Sequence, residues 1–258
     1  MENRKRQTLF ILLAAIFLTN AILAEMIGVK IFSAESTFGF SPANINLLGY
    51  TLDFNLTAGV VIWPVVFITT DIVNEYFGKK GVRKISFLAV GCIAYAFFMI
   101  FLVTKLEPAA FWMDVNAKDA DGNPFNVDFA FNKIYTQGLG IIVGSLVAFL
   151  IGQFLDVYVF QKLRSITGER KIWLRATGST LVSQLVDSFV VLGIAFYILA
   201  PADSRWPLSQ VLSVGIINYM YKFFVAIVLT PVIYLGHYLI DRYLGKDLAD
   251  QLKTEATS

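Results

Sequence analysis

The chain has 258 residues, of which 57% are hydrophobic and only 16% charged, with a mean hydropathy of +0.65. A soluble domain of this length carries about 25% charged residues, so the composition excludes an ordinary soluble protein and defines a polytopic membrane protein. The formal net charge of +2 says little as a sum, and its distribution along the chain says more.

Residues 1–7 are polar and basic through Arg4, Lys5 and Arg6, and an apolar run at 8–29 follows. A signal peptide has the same outline. The run, however, is about twenty residues long, enough to cross a bilayer, and Ile22 breaks the small-x-small pattern before Ala24. It reads as a retained first helix. Residues 30–55 carry Gly, Pro and Asn turn signals and read as an exterior loop. A second span follows at 56–77, in which Trp63-Pro64 reads as a helix kink beside an interfacial aromatic. The segment K-K-G-V-R-K reads as a tight basic turn into a third span at 85–103.

The loop at 104–133 holds Glu107, Asp114, Asp119, Asp121 and Asp128 around a D-A-D-G-N-P turn core. It lacks the flanking helices and terminal Glu of a calcium loop. A fourth span covers 134–159, a basic connector 165–173, a fifth span 174–199 and a sixth 208–238. The expected fold is therefore all-α: one integral membrane domain over 1–258, a bundle of six transmembrane helices. Fifteen Lys/Arg lie in the N-terminus, the second–third turn, the fourth–fifth connector with its flanking helix ends (162–175) and the tail, against five in the opposite loops. By the positive-inside rule both termini are expected in the cytoplasm.

Polar side chains inside these spans need partners, because lipid offers none. Thr180, Gln184 and Asp187 stand at i, i+4 and i+7 of the fifth span and share one helix face. Asp187 lies about a dozen residues into the run, near mid-depth at roughly 1.5 Å per residue. Depth sorts the others into two layers. Asn20, Gln184, Asp187, Asn218 and Lys222 fall in the middle or outer half and form the expected substrate site. Asp71, Asn74, Glu75, Gln153 and Asp156 fall near the cytoplasmic end, close to Arg83, Arg164 and Arg175, as an expected gate or coupling layer. Alternating-access carriers place their sites near mid-depth. A buried structural pair between Asp187 and Lys222 is the alternative to solute contact, and helix–helix hydrogen bonding the alternative for Asn20 and Asn218. Q-x-x-D occurs twice, at Gln153/Asp156 and Gln184/Asp187.

Enzyme readings lack material. His237 is the one histidine and Cys92 the one cysteine, too few for a metal cluster or a His-assisted nucleophile, so neither cofactor nor metal is expected. No channel filter motif is present. The residues alone lead to a six-helix solute carrier or binding component.

Five stretches then carry a resemblance: T-N-A-I-L-A-E-M-I-G-V-K at 19–30, W-P-V-V-F-I-T-T-D-I-V-N-E-Y-F-G-K-K-G-V-R at 63–83, G-Q-F-L-D-V-Y-V-F at 152–160, W-L-R-A-T-G-S-T-L-V-S-Q-L-V-D-S at 173–188 and Y-K-F-F-V-A-I-V-L-T-P-V-I-Y at 221–234. In order and spacing they resemble the queuosine precursor transporter family, within the vitamin uptake transporter class. Glu25-Met26 departs from a usually apolar stretch and Ser188 from a common Thr. The resemblance implies uptake of 7-cyano-7-deazaguanine or 7-aminomethyl-7-deazaguanine across a bacterial inner membrane. It also implies that Asp187 accepts the N–H groups of the base edge, with Gln184, Asn218 or Lys222 donating to the carbonyl and Phe17, Phe67 and Tyr219 as candidate aromatic walls. The expected partners are the deazapurine and the lipid bilayer, with a homodimer allowed, no nucleic acid and no obligatory ATPase. Another vitamin-like solute, or a binding component that needs an ATPase, are the alternatives.

Overall fold

The computed structural model describes residues 2–135, 139–167, 171–200 and 202–256. Five of its helices are long and apolar enough to cross a membrane. The first, α1 (Glu2–Ile27), buries Leu9, Leu13, Phe17, Ala21 and Ala24 along one stripe. That spacing follows the 3.6-residue repeat.

The segment expected as a loop after α1 contains short β structure. Strand β1 (Ile31–Ser33) leads into the single turn α2 (Ala34–Thr37), where the Ser33 hydroxyl accepts from the Ser36 N–H at 3.1 Å. β2 (Ile45–Leu47) and β3 (Tyr50–Leu52) form a hairpin, and β4 (Asn55–Thr57) returns to pair antiparallel with β1. Leu48 and Gly49 both have positive φ, 49° and 87°, as a two-residue turn matched to strand twist requires. The hairpin is tied to the bundle by Tyr50 Oη, 3.3 Å from Ser209 Oγ, and by Ser213 Oγ donating to the Leu47 carbonyl at 3.2 Å. Glu35 pins the ribbon from within, accepting from the Phe54 N–H at 2.7 Å and from Ser33 Oγ at 3.2 Å. Burial opposes its charge, but these donors outweigh it and hold the carboxyl below its ordinary value.

A 3₁₀ turn at Ala58–Val61 precedes α3 (Trp63–Val103). Pro64 occupies the first turn of that helix, where its missing N–H costs nothing. The expected kink at Trp63-Pro64 is therefore a helix start. The true break lies at Gly78, with φ 62° and ψ −167°. A Cβ there would stand 2.6 Å from the Ala256 carbonyl oxygen, so glycine meets both the backbone angle and the close approach. The expected basic turn K-K-G-V-R-K is instead the first helical stretch after this break. The two halves of α3 run back along each other. Gly81 and Lys84 lie against Phe10 near the start of α1, whereas Trp63 and Phe97 share a cavity with Glu25 near its end.

Short helices α4 (Ala110–Val115) and α5 (Val127–Tyr135) lie in the acidic loop. Its D-A-D-G-N-P core is a side-chain-capped turn, with Asp119 accepting from the Asn123 and Asp121 N–H groups. The backbone and side-chain donors of Asn123 hold that carboxyl below its ordinary range. Next come α6 (Leu139–Thr167) and α7 (Ile172–Leu192), the closest-packed pair. Gly144 permits the approach, since a Cβ would sit 3.2 Å from the Val191 carbonyl oxygen. Much of the expected 165–173 connector lies at the ends of these helices or outside the described residues. A π-helical turn, Gly193–Ile198, extends α7 and stacks Phe196 on Trp206 with ring centroids 4.2 Å apart.

The expected sixth span is divided. α8 (Leu208–Val228) ends before Pro231, and α9 (Thr230–Leu244) starts a new helix with that proline in its first turn. The last helix, α10 (Lys246–Glu255), packs below the Gly78 break. One end of the molecule thus gathers the start of α1, the break in α3, the end of α6 and the α9–α10 pair. Lys5 donates to the Tyr243 carbonyl, Arg6 pairs with Glu255, and Lys253 pairs with Asp241 there.

Candidate functional site

Away from that basic end, α1, α3, α6, α7 and α8 enclose a cavity of about 1580 Å³, counting its open mouth. It reaches from Gly28, Ile31 and Thr57 beside the β ribbon down to Gln153, Asp156 and Ser183. Four of the five expected substrate residues, Gln184, Asp187, Asn218 and Lys222, line it. Asn20 does not. Its amide donates to the Ile16 carbonyl of its own helix at 2.7 Å.

The walls are aromatic. Trp63 stacks on Phe67 with centroids 5.8 Å apart and approaches Phe149 at 5.7 Å. All three rings line the cavity, a surface suited to a flat heterocycle. Of the three expected wall residues only Phe67 is there. Phe17 is fully buried against Phe149, and Tyr219 packs edge-on with Phe223. Sequence reasoning passed over Trp63 because tryptophan at a span end is so often an interfacial anchor.

Lys222 donates to Asp187 Oδ2 in a salt bridge between α8 and α7, with both side chains about one-fifth exposed. That exposure is to the cavity lined by both residues. The bridge therefore fixes the carboxylate's direction without sealing it from a solute. Gln184 Oε1, on the same helix face one turn earlier, is buried without a hydrogen-bond partner. An unmet buried acceptor costs about 1–3 kcal/mol, and a donor-bearing ligand would remove that cost. Three side chains not expected at this site, Glu25, Gln153 and Asp156, complete it. Glu25 of α1 accepts from Ser145 of α6, and both residues line the cavity. Gln153 and Asp156, which depth assigned to the cytoplasmic layer, form its floor. Both Q-x-x-D segments thus face one space.

Below the floor the expected gate residues divide. Glu75 is held bidentate by Arg175, with Nε to Oε2 at 3.0 Å and Nη2 to Oε1 at 2.6 Å. Arg164 Nη1 stands 3.7 Å from the same carboxylate and donates to the Glu75 carbonyl at 3.1 Å, while its Nη2 donates to the Lys253 carbonyl at 2.6 Å. Glu75 and Arg175 are 1% exposed and Arg164 5%, so the cluster is a buried ionic network joining α3, α6, α7 and α10. Asn74 accepts from Gln161 at 2.7 Å beside it. Arg83 does not take part. Helix α3 reverses at Gly78, so Arg83 is exposed, over the Phe87 ring.

Asp71 and Asp156 also depart from the expected arginine pairing. Asp156 accepts long hydrogen bonds from Ser183 at 3.3 Å and Thr180 at 3.5 Å, and Thr180 reaches Asp71 as well. Each aspartate keeps one buried oxygen without a partner. Asp71 lines a second cavity of about 550 Å³, counting its mouth, which shares Trp63, Phe67, Gln184 and Lys222 with the first. Among the described residues no group of His, Cys, Asp and Glu has the geometry to hold a metal ion.

Helices long and apolar enough to cross a membrane thus surround a largely apolar cavity with a few convergent polar groups, the general form of a small-molecule site. The family model described as "Putative vitamin uptake transporter" matches residues 57–236. The chain belongs to that family, a family of transporters rather than enzymes. It is 33% identical over 201 residues to the "Probable queuosine precursor transporter" of Bacillus subtilis, covering 77% of this chain and 80% of that one. It is 27% identical over 177 residues to the "Queuosine precursor transporter" of Escherichia coli, covering 69% and 70%. A Haemophilus influenzae protein named "Probable queuosine precursor transporter" is 27% identical over 210 residues, covering 78% and 79%. No solved structure matches the chain.

Proposed function

We propose that this protein imports the queuosine precursors 7-cyano-7-deazaguanine and 7-aminomethyl-7-deazaguanine across a bacterial inner membrane. The observation that carries the reading is the convergence of Gln184, Asp187, Asn218 and Lys222 on one cavity walled by Trp63, Phe67 and Phe149. A deazaguanine edge offers adjacent N–H donors, and a carboxylate accepts such a pair in bidentate fashion. Asp187 is the carboxylate for that task, with Lys222 holding it in place and Gln184 and Asn218 beside it. The aromatic rings stack on the heterocycle. The relatives named as queuosine precursor transporters support the same general class of solute.

The two antiparallel halves of α3 each count as a crossing, so the chain passes the membrane six times. The basic end faces the cytoplasm by the positive-inside rule, with both termini there. The cavity then opens outward, and the Glu75–Arg175–Arg164 plug closes the cytoplasmic side. Asp71, Asn74, Gln153 and Asp156 lie between the two as the elements that move or exchange a coupling ion. No ATPase is required.

A panel of purine-like and vitamin-like solutes, tested for thermal stabilisation of the purified protein, checks this reading. A ligand at 100 times its Kd stabilises by about 2.7 kcal/mol, on the order of 5 °C or more for a chain of this size. Stabilisation by the two deazaguanines, and none by adenine or riboflavin, is the expected result. Stabilisation by a vitamin with no guanine-like edge contradicts it.

A further inference from the structure

We propose that the cavity selects a cationic solute, and that Glu25 receives its ammonium group. The proposal rests on the reading of the protein as a deazaguanine carrier and names which precursor it prefers: the one bearing the aminomethyl group. A primary amine of this kind is protonated at neutral pH, as lysine's is, whereas the nitrile of the cyano precursor carries no charge.

The charge balance of the wall is the first argument. Among the described lining residues, Glu25, Asp156 and Asp187 are carboxylates and Lys222 is the lone cation. Lys222 is already committed to Asp187. A cavity with more acid than base on an otherwise apolar, low-dielectric wall favours a positive guest. The unmet polar atoms point the same way. Gln184 Oε1 and Asp156 Oδ2 lack hydrogen-bond partners, and their residues are 3% and 5% exposed. Both atoms are acceptors, so the wall asks for donors.

Position makes Glu25 the ammonium partner. It sits on α1, on a different helix from Asp187 and Lys222, yet lines the same cavity as both. Ser145 donates to Oε1, which leaves Oε2 for a ligand. A flat solute whose base edge meets Asp187 can then turn its substituent toward α1. No other carboxylate is available there, because Asp156 lies on the floor beside Ser183.

Uptake of the two precursors in the same cells, by wild type and by Glu25→Gln at matched membrane expression, tests this. Gln keeps the shape and still accepts from Ser145 through its oxygen. The charge is lost and the second oxygen becomes an NH2 donor, which repels an ammonium group and spares a neutral nitrile. Wild type is expected to favour the amine over the nitrile, and Glu25→Gln to lower the amine-to-nitrile uptake ratio at least tenfold. An unchanged ratio overturns the proposal, whether both rates hold or both fall, since a merely structural Glu25 would move the two together. Should wild type carry neither precursor, the proposed function falls and this inference with it. A lowered ratio with both solutes transported leaves both standing, and a raised ratio overturns the proposal.

Discussion

Asp187→Ala is expected to lower uptake of either precursor at least ~100-fold, with normal insertion into the membrane. Two hydrogen bonds to a charged acceptor are worth about 1.5–3 kcal/mol each, and losing them leaves the base edge unread. The substitution also strips Lys222 of its partner. A fall in transport therefore has two possible origins, which a second variant separates. If Asp187 serves only to neutralise Lys222, then Asp187→Ala combined with Lys222→Ala removes both charges and restores transport. If Asp187 holds the solute, the double variant stays as inactive as the single one. Asp187→Asn adds the intermediate case, in which shape survives but one accepting oxygen becomes a donor. Near-normal uptake by Asp187→Ala would overturn the assignment of the residue.

The second large effect concerns the plug. Glu75→Gln leaves the Arg175 and Arg164 guanidiniums facing a neutral amide, in a place where all three side chains are no more than 5% exposed. Removing one member of a buried ion pair costs about 3–5 kcal/mol, which lowers the melting temperature by roughly 10 °C for a chain this long. The pair as a whole contributes far less than that, because desolvation offsets most of the attraction. Arg175→Gln in the Glu75→Gln background should therefore cost much less than either change alone predicts. A coupling of at least about 1 kcal/mol is expected from the cycle. Simple additivity of the two losses would mean that the plug does not act as a unit. Thermal unfolding of the detergent-solubilised variants gives all four corners.

Much of this was legible in the residues, and the exceptions share physical causes. Apolar runs of twenty or so residues located the long helices, because lipid tolerates little else over that length. Their interruptions were harder. The reversal after the second span was expected, but at K-K-G-V-R-K rather than at Gly78, whose role shows only when Ala256 packs against it. Pro231 ended α8 inside an unbroken apolar run. Strands of three residues leave too short a period-2 pattern to see, which is why β1–β4 read as a loop.

The site divided along similar lines. Gln184 and Asp187 follow from helical spacing, and their cavity placement came with the helix. Asn20 and Glu25 are five residues apart, hence about 140° apart around α1, so at most one of them could face the cavity. Spacing could not choose, and the structure chose Glu25. Depth alone could not separate Gln153 and Asp156 from the plug, since a cavity floor and a plug's upper edge lie within a turn of one another. Arg83 failed for the opposite reason: it is near the plug along the chain, but the reversal at Gly78 turns it outward.

Uptake of labelled deazaguanines into proteoliposomes containing only this protein tests the central claim most directly. The account predicts saturable entry of 7-aminomethyl-7-deazaguanine, inhibited by unlabelled precursor and absent from liposomes carrying Asp187→Ala. Entry no faster than into protein-free liposomes, with the protein folded and correctly reconstituted, would contradict it.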